Sequence, residues 1–176
     1  MYNSVELVDT DTETLVSFMC NNLKGGRHEV SDSVKIIGES SFQGCSGLKH
    51  VVLNEGLSTI NSHAFMSTGL ESIDIPASVR LVGAHAFDSC LSLSTLLVDE
   101  DRKGRVGDNI LENSSLVKLR LPRSLWSDNR AVSESAFSGS RLGTVVFGCV
   151  KDSAECVSGH KAYKGKEVEI ECEECL

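Results

Sequence analysis

The sequence has little of what would mark a nucleic-acid-binding or membrane protein. It contains 17 Lys and Arg residues against 25 Asp and Glu, which gives a formal net charge of −8. Because binding to a phosphate backbone depends on cationic side chains, this balance argues against a nucleic-acid partner. No stretch approaches the roughly 18 consecutive apolar residues of a membrane span, so we expect no membrane insertion.

Motifs that carry catalysis are also missing. No Gly-rich phosphate loop precedes Lys-Ser or Lys-Thr, and no His-Glu-x-x-His segment occurs. Aromatic residues make up only 5% of the chain, so its core must be built mainly on Leu, Val and Ile. We therefore expect no enzymatic activity, no cofactor, and another protein as the partner rather than a small molecule.

The first residues lack the basic and apolar segments of a secretory signal peptide. This favours a cytoplasmic location, with the cell surface as the alternative. The seven cysteines are an odd number, so at least one thiol is free unless it pairs between chains.

The sequence does contain a repeat, Leu-x-x-Val-x-Leu. Its copies read Leu48-Val51-Leu53, Leu70-Ile73-Ile75, Leu93-Leu96-Val98, Leu116-Leu119-Leu121 and Leu142-Val145-Phe147. A Phe or Leu precedes each copy by five or six residues, in steps of 23, 22, 24 and 26: Phe42, Phe65, Phe87, Leu111 and Phe137. Five positions earlier lies a branched residue: Ile37, Ile60, Val82, Val106 and Val132. A period in the twenties is typical of a leucine-rich-repeat solenoid.

Within each copy, the last residues alternate between apolar and polar, which predicts a strand with one buried face. Equivalent strands of successive repeats are expected to stack in parallel, about 4.8 Å apart. The Ile-x-x-x-Ala-Phe segment is expected to return along the other side as a short strand followed by a helical turn. One repeat cannot bury its apolar residues alone, so the repeats must share a continuous core.

Two segments, 34–48 and 75–90, carry a family resemblance. They resemble the BspA-type leucine-rich repeat, Ile-Pro-x-x-Val-x-x-Ile-Gly-x-x-Ala-Phe-x-x-Cys-x-x-Leu, and the resemblance extends over residues 34–147. The fourth and fifth repeats depart from it, because Leu111 replaces Phe and both repeats carry insertions. The resemblance implies a solenoid and a binding role, since such proteins are often surface-exposed binders or adhesins of bacteria and protists.

We predict an α/β leucine-rich-repeat solenoid of about five repeats of 22–26 residues, a horseshoe or right-handed coil with parallel strands on its concave face. Its segments are an N-terminal cap (1–33), the repeats (34–147) and a cysteine-bearing C-terminal cap (148–176). The capping-box pattern Thr10-Asp-Thr-Glu13 predicts an amphipathic helix over 11–24, ended by two glycines. A degenerate additional repeat is a compatible interpretation, because Phe18 and Leu23 keep the five-residue spacing.

A small residue lies three positions before the leading Leu of each copy: Cys45, Ser67, Cys90, Asn113 and Gly139. We expect this position to serve backbone groups of the turn that would otherwise be unpaired. Cys45 and Cys90 are therefore predicted to be buried structural thiols. Two repeats apart, they are too distant to form a disulfide with each other.

The strands predict a partner-binding surface on the concave face, made of side chains that point away from the core. The inner row is Val52, Asp74, Leu97, Arg120 and Val146, and the flanking row is His50, Ser72, Thr95, Lys118 and Thr144. Exposed apolar residues with charges at the rim are typical of a protein-binding patch. The strand propensity of Val and Leu would also place them here without any function.

Two further groups of residues could bind metal. Cys149, Cys156, Cys172 and Cys175 lie near the C-terminus, where a zinc site, disulfides and free thiols all remain open. His63 and His85 share a repeat position and are expected about 5 Å apart. Because no Cys or third His shares that position, we expect them to be surface residues rather than metal ligands.

These observations favour a non-enzymatic protein-interaction module that uses the concave face. The first alternative is a secreted or cell-surface adhesin. The second is a structural or assembly subunit of a larger complex, with contacts through Trp126, in the insertion of the fifth repeat, and through residues 148–176. The charged insertion 99–105 is expected to be a solvated loop and a further contact candidate.

Overall fold

The computed structural model describes residues 5–21, 23–98, 105–121, 132–147, 159–163 and 166–172. In these residues the regular structure is almost entirely β. The strands are β1 (Val5–Asp9), β2 (Thr14–Met19), β3 (Arg27–Glu29), β4 (Ile36–Ile37), β5 (His50–Val52), β6 (Thr59–Ile60), β7 (Ser72–Ile75), β8 (Leu81–Val82), β9 (Thr95–Val98), β10 (Arg105–Val106), β11 (Lys118–Leu121), β12 (Thr144–Phe147), β13 (Gly159–Tyr163) and β14 (Lys166–Cys172).

The strands alternate between two walls of a solenoid of about five turns. The first sheet has the order β1-β2-β4-β6-β8-β10, and the second has the order β3-β5-β7-β9. A further sheet, β11-β12-β14-β13, contains the corresponding strands of the later coils. From β2 to β10 and from β3 to β9 the neighbours are parallel, so each coil adds one rung to each wall.

The predicted column of branched residues forms the inner side of the first sheet. Ile37 pairs with Ile60, Ile60 with Val82, and Val82 with Val106, which bridges to Val132. All five are buried in one continuous hydrophobic core. The repeat period therefore sets the register directly.

Between the two walls, each coil makes a pair of tight turns around its central Phe or Leu. Non-glycine residues two positions before the ring have positive φ values of 47–57°: Ser40, His63, His85 and Asn109. Two positions after the ring, the left-handed residues are Gly44, Ser67, Ser89, Asn113 and Gly139. The predicted helical turn is wrong, because left-handed backbone at both places bends the chain away from a helical path.

These turns are joined from coil to coil by backbone hydrogen bonds. The Phe42 N–H donates to the Ala64 carbonyl at 2.9 Å, and the Phe65 N–H donates to the Ala86 carbonyl at the same distance. The rings stack along the same line, with centroid separations of 4.6 Å for Phe18–Phe42, 4.9 Å for Phe42–Phe65 and 5.6 Å for Phe65–Phe87. The turn segment is thus a third hydrogen-bonded side of the coil.

The predicted N-terminal helix over 11–24 is wrong. Residues 14–19 form β2, which pairs with β1 in an antiparallel hairpin and with β4 in parallel. Asp9 accepts backbone hydrogen bonds from Asp11 and Thr12 in the connecting turn, so its carboxylate serves a hairpin rather than a helix. The described residues contain no α-helix, only a 3-10 turn at Lys24–Gly26, so the α/β class is replaced by a β-solenoid.

Residues 14–23 instead fit the interpretation of an additional repeat. Leu15 pairs with Ile37 and is fully buried, while Phe18 extends the ring stack. By contrast, Val16 and Met19 are about half exposed, which a helix packed on the first repeat would not allow. The spacing of Leu15, Met19 and Leu23 is that of a helix, but β2 buries Leu15 and Phe18 and leaves Met19 exposed.

The column of small buried residues lies one position away from its prediction in three coils. It falls three residues after the ring, and its members are Cys45, Thr68, Cys90, Ser114 and Ser140, all buried. Ser67, Asn113 and Gly139 instead occupy the left-handed position just before it. The position of the turn is fixed by the ring residue. Counting three residues back from the leading Leu therefore gives the wrong residue in coils where the ring residue and that Leu are five positions apart instead of six.

Two members of this column, the predicted Cys90 and the unpredicted Ser140, bond to turn carbonyls, whereas the buried Ser114 hydroxyl has no hydrogen-bond partner. The Cys90 thiol donates to the carbonyl oxygen of Phe65 at 3.1 Å, and the Ser140 hydroxyl donates to that of Phe137 at 2.6 Å. Cys90 is free and buried, as predicted. Cys45 is buried but not free, because it forms a disulfide with Cys20, whose Cα lies 5.5 Å away.

The alternation Val168-Glu-Ile170-Glu-Cys172 predicts an edge strand, and a strand is present there within β14. It is an interior strand rather than an edge strand, because it lies between β12 and β13. Cys172 ends it, while Cys149, Cys156, Cys175 and Trp126 lie outside the described residues. No helix in the described ranges has the length and apolar character that crossing a bilayer requires.

Candidate functional site

The predicted partner-binding rows are brought together by the register of the second sheet. His50 pairs with Ser72, and Ser72 with Thr95, which aligns the flanking row. In the inner row, Asp74 pairs with Leu97. In the later coils, Lys118 pairs with Thr144 and Arg120 with Val146. β11 and β12 belong to the further sheet, which holds the corresponding strands of the later coils. We call the side of all these strands that points away from the core, in the second sheet and in β11 and β12, the outer face of the second sheet.

Two apolar side chains of the inner row are exposed on this face. Val52 is 39% exposed and Leu97 is 43% exposed, although their neighbours along the strand are buried. Asp74, which lies between them in the row, is also exposed. The alternation arises because successive side chains of a strand point to opposite faces.

A shallow groove of about 510 Å³ runs over the same residues. Its polar lining is acidic over the first coils, at Glu55 and Asp74, and basic at Arg120. Pro76, which follows the last residue of β7, forms part of its apolar lining. The groove therefore combines an apolar floor with charges of opposite sign along the solenoid axis.

The flanking row is more strongly tied to its neighbours. The His50 Nδ1 atom lies 3.2 Å from the Ser72 hydroxyl. Glu71, one residue before Ser72, pairs with Lys49 at 3.0 Å and lies 3.9 Å from the His50 Nε2 atom. These side chains are about half exposed, so the pairs contribute little to stability and form a polar rim instead.

Val146 holds its predicted place in the inner row but is buried there. It is only 4% exposed, although it belongs to the inner row by register. Its strand, β12, is interior in its sheet because β14 pairs on its other side and places Glu171 opposite Val146. The exposed apolar part of the row therefore ends before the last coil.

The rows also begin earlier than predicted. Arg27 pairs with His50 and Glu29 with Val52, so β3 adds one residue to each row. Both side chains are exposed and form an ion pair at 3.2 Å. The sequence does indicate this strand, because an additional repeat at Phe18 would be followed by a strand as the later repeats are.

A family model for the BspA-type leucine-rich-repeat region matches residues 16–143 with six copies. The chain belongs to this family. The six copies exceed the predicted five, in agreement with the additional repeat at Phe18. No curated protein matches the chain.

Solved structures resemble this BspA-type chain, and the first of those below shares its fold. The pneumococcal vaccine antigen PcpA is 23% identical, with a TM-score of 0.59, over 82% of this chain and 34% of the antigen. A leucine-rich cell surface protein of Faecalibacterium prausnitzii A2-165 is 24% identical, with a TM-score of 0.48, over 69% of this chain and 35% of that protein. This chain thus spans about a third of the length of each.

Proposed function

We propose that this BspA-type solenoid is a protein-binding module that uses the outer face of the second sheet. The observation that carries the proposal is the exposed pair Val52 and Leu97, set around Asp74 in a groove with Arg120. Apolar side chains at the centre with charges around them are the arrangement of protein-binding patches. Repeat proteins commonly present such surfaces.

The charges of the groove define the partner that it suits. Glu55 and Asp74 favour a basic group near the first coils, whereas Arg120 favours an acidic group near the fourth. A partner segment would place apolar side chains against Val52 and Leu97 and its opposite charges at the two ends. Such charge complementarity fixes orientation and specificity more than affinity.

We propose that this binding role is non-enzymatic. The groove lining contains no His, Cys, Ser or Lys side chain among the described residues, so it offers no nucleophile with an adjacent base of the usual types. Its two carboxylates, on Glu55 and Asp74, are accompanied by apolar residues and one Arg. This composition supports recognition rather than bond breaking.

Capture of partners from the native source tests the proposal. We expect Leu97→Asp and Arg120→Glu each to lose a partner that the unmodified chain retains, because both change the groove without touching the core. The matched control is Leu81→Asp, since Leu81 is 38% exposed on the first sheet. Retention of that partner by both groove variants, or its equal loss from the control, would contradict the proposal.

A location at the cell surface or outside the cell, the adhesin alternative, is supported by a separate observation. Cys20 and Cys45 join the additional coil to the first repeat, with Cα atoms 5.5 Å apart. Disulfides persist mainly in oxidising compartments. We therefore propose that the chain works in one, in place of the cytoplasmic location favoured by sequence.

Alkylation of the chain in its native source, before any reduction, tests the compartment. We expect mass spectrometry to find the Cys20 and Cys45 peptides linked and unalkylated. Full alkylation of both cysteines in the folded chain would contradict an oxidising compartment, and it would leave the proposal for the groove unaffected.

A further inference from the structure

A second cluster of functional groups lies on the turn side of the solenoid, away from the groove. His85 occupies the left-handed position two residues before Phe87, and Asp88 follows that ring directly. Glu112 follows Leu111 in the next coil and therefore holds the same repeat position as Asp88. The register of adjacent coils thus brings an imidazole and two carboxylates together.

The three side chains converge on one point. The His85 Nδ1 atom lies 3.2 Å from Asp88 Oδ2 and 3.4 Å from Glu112 Oε2. All three ligand atoms lie within 4.8 Å of one another. Nitrogen and oxygen ligands at about 2.0–2.2 Å from a tetrahedral metal ion are separated by about 3.3–3.6 Å. The imidazole-to-carboxylate separations are therefore close to those of ligands around one ion.

Burial and neighbouring hydrogen bonds hold the cluster in this arrangement. The Asp88 side chain is only 10% exposed and also accepts a hydrogen bond from the Ser89 hydroxyl at 2.7 Å. Glu112 accepts one from the Asn109 amide at 2.8 Å. Partners of this kind orient metal ligands. His85 and Glu112 keep 31% of their side-chain surface, which leaves a path for an ion and for water ligands.

We propose that His85, Asp88 and Glu112 bind a divalent first-row transition-metal ion. Imidazole and carboxylate together suit such ions, and the ion's charge would offset two carboxylates held close together. His85 would coordinate through Nδ1 as the neutral ring that carries its hydrogen on Nε2, and a proton on Nδ1 would exchange through solvent. The remaining coordination positions would be taken by water.

His63 provides a matched control. It occupies the same turn position one coil earlier, with φ 57° against 56° for His85, and the two rings stack in parallel at 5.1 Å. Asn109 fills this position in the following coil, also with positive φ, so Asn is compatible with the backbone there. His85→Asn and His63→Asn therefore change one imidazole each without changing the turn.

The test is a titration of the purified chain with Co²⁺, followed by its visible absorption and by calorimetry. We expect one saturable site in the unmodified chain and in His63→Asn, and at least tenfold weaker binding in His85→Asn and Glu112→Gln. The spectrum should show nitrogen and oxygen ligands, without the charge-transfer bands that the C-terminal cysteines would give.

Circular dichroism of the metal-free variants shows whether each one folds. If His85→Asn does not fold, Glu112→Gln decides, because that side chain lies at the surface. The proposal is overturned if no saturable binding occurs, if the two ligand variants bind as tightly as the unmodified chain, or if His63→Asn loses binding equally. The cluster would then be an imidazole that is hydrogen-bonded to Asp88 and lies beside Glu112.

Discussion

The ring stack gives a stability prediction that the structure makes quantitative. Phe65 is fully buried between Phe42 and Phe87, and the planes of neighbouring rings lie within 15° of parallel. Phe87 has Phe65 on one side, but Leu111 takes the ring position in the following coil. Aromatic pairs contribute about 0.5–1.5 kcal/mol each beyond the burial of their surface.

Phe65→Leu removes two ring pairs, whereas Phe87→Leu removes one. Leu keeps the position apolar, and the change of shape should cost less than about 1.5 kcal/mol. We therefore expect Phe65→Leu to lower the free energy of unfolding by roughly 2–4 kcal/mol and Phe87→Leu by roughly 1–3 kcal/mol. The double variant should cost less than the sum of the two, by about 0.5–1.5 kcal/mol, because the single changes both remove the Phe65–Phe87 pair.

Urea unfolding without reductant measures these differences. Circular dichroism and the fluorescence of Trp126, the single tryptophan, provide two probes whose agreement would justify a two-state treatment. For a chain of this length, Phe65→Leu should lower Tm by roughly 5–15 °C. Equal costs for the two single variants, together with strict additivity in the double variant, would refute the contribution of stacking.

Three further predictions follow from the core and the turns. Leu96→Ala, in the middle of the stack, should cost about 2–5 kcal/mol in urea unfolding, and a loss near zero would refute the register. Gly83→Ala should lower the free energy of unfolding by about 1–3 kcal/mol, because the added Cβ would lie 2.5 Å from the Ser62 nitrogen. Gly47→Ala is the control: its added Cβ would have no atom within 4 Å, so it should lower the free energy of unfolding less than half as much. Burial raises the pKa of the Cys90 thiol, so Cys90 should stay unlabelled by iodoacetamide in the folded chain at neutral pH, and rapid labelling would contradict its burial.

The sequence was sufficient for the repeat and for much of its register. Ile37, Ile60 and Val82 pair where their spacing predicts, because a solenoid turns a constant period into vertical stacking. His63 and His85 lie 5.1 Å apart for the same reason, close to the predicted separation.

Prediction failed where local pattern and coil geometry give similar signals. Leu15, Met19 and Leu23 have a helical spacing, but pairing of β2 with β4 determines the backbone there. The Cys20–Cys45 disulfide was missed because Cys20 was placed on a helix instead of at the end of a coil.

The site beside His85 was missed for a different reason. The repeat position that the two histidines share holds no third ligand in the sequence. Asp88 lies three residues further along the chain, and Glu112 holds the Asp88 position of the next coil. Only the folding of the turn around Phe87 shows that these two positions meet.

Site-specific photo-crosslinking tests the central claim, that the outer face of the second sheet binds a protein, most directly. A photoreactive amino acid at position 97 would report on the groove, and the same residue at position 81 would report on the first sheet at a similar exposure. We expect position 97 to form crosslinks to a specific protein that position 81 does not form, and Arg120→Glu to weaken them. Equal crosslinking from both positions, or crosslinks from position 81 alone, would contradict the account.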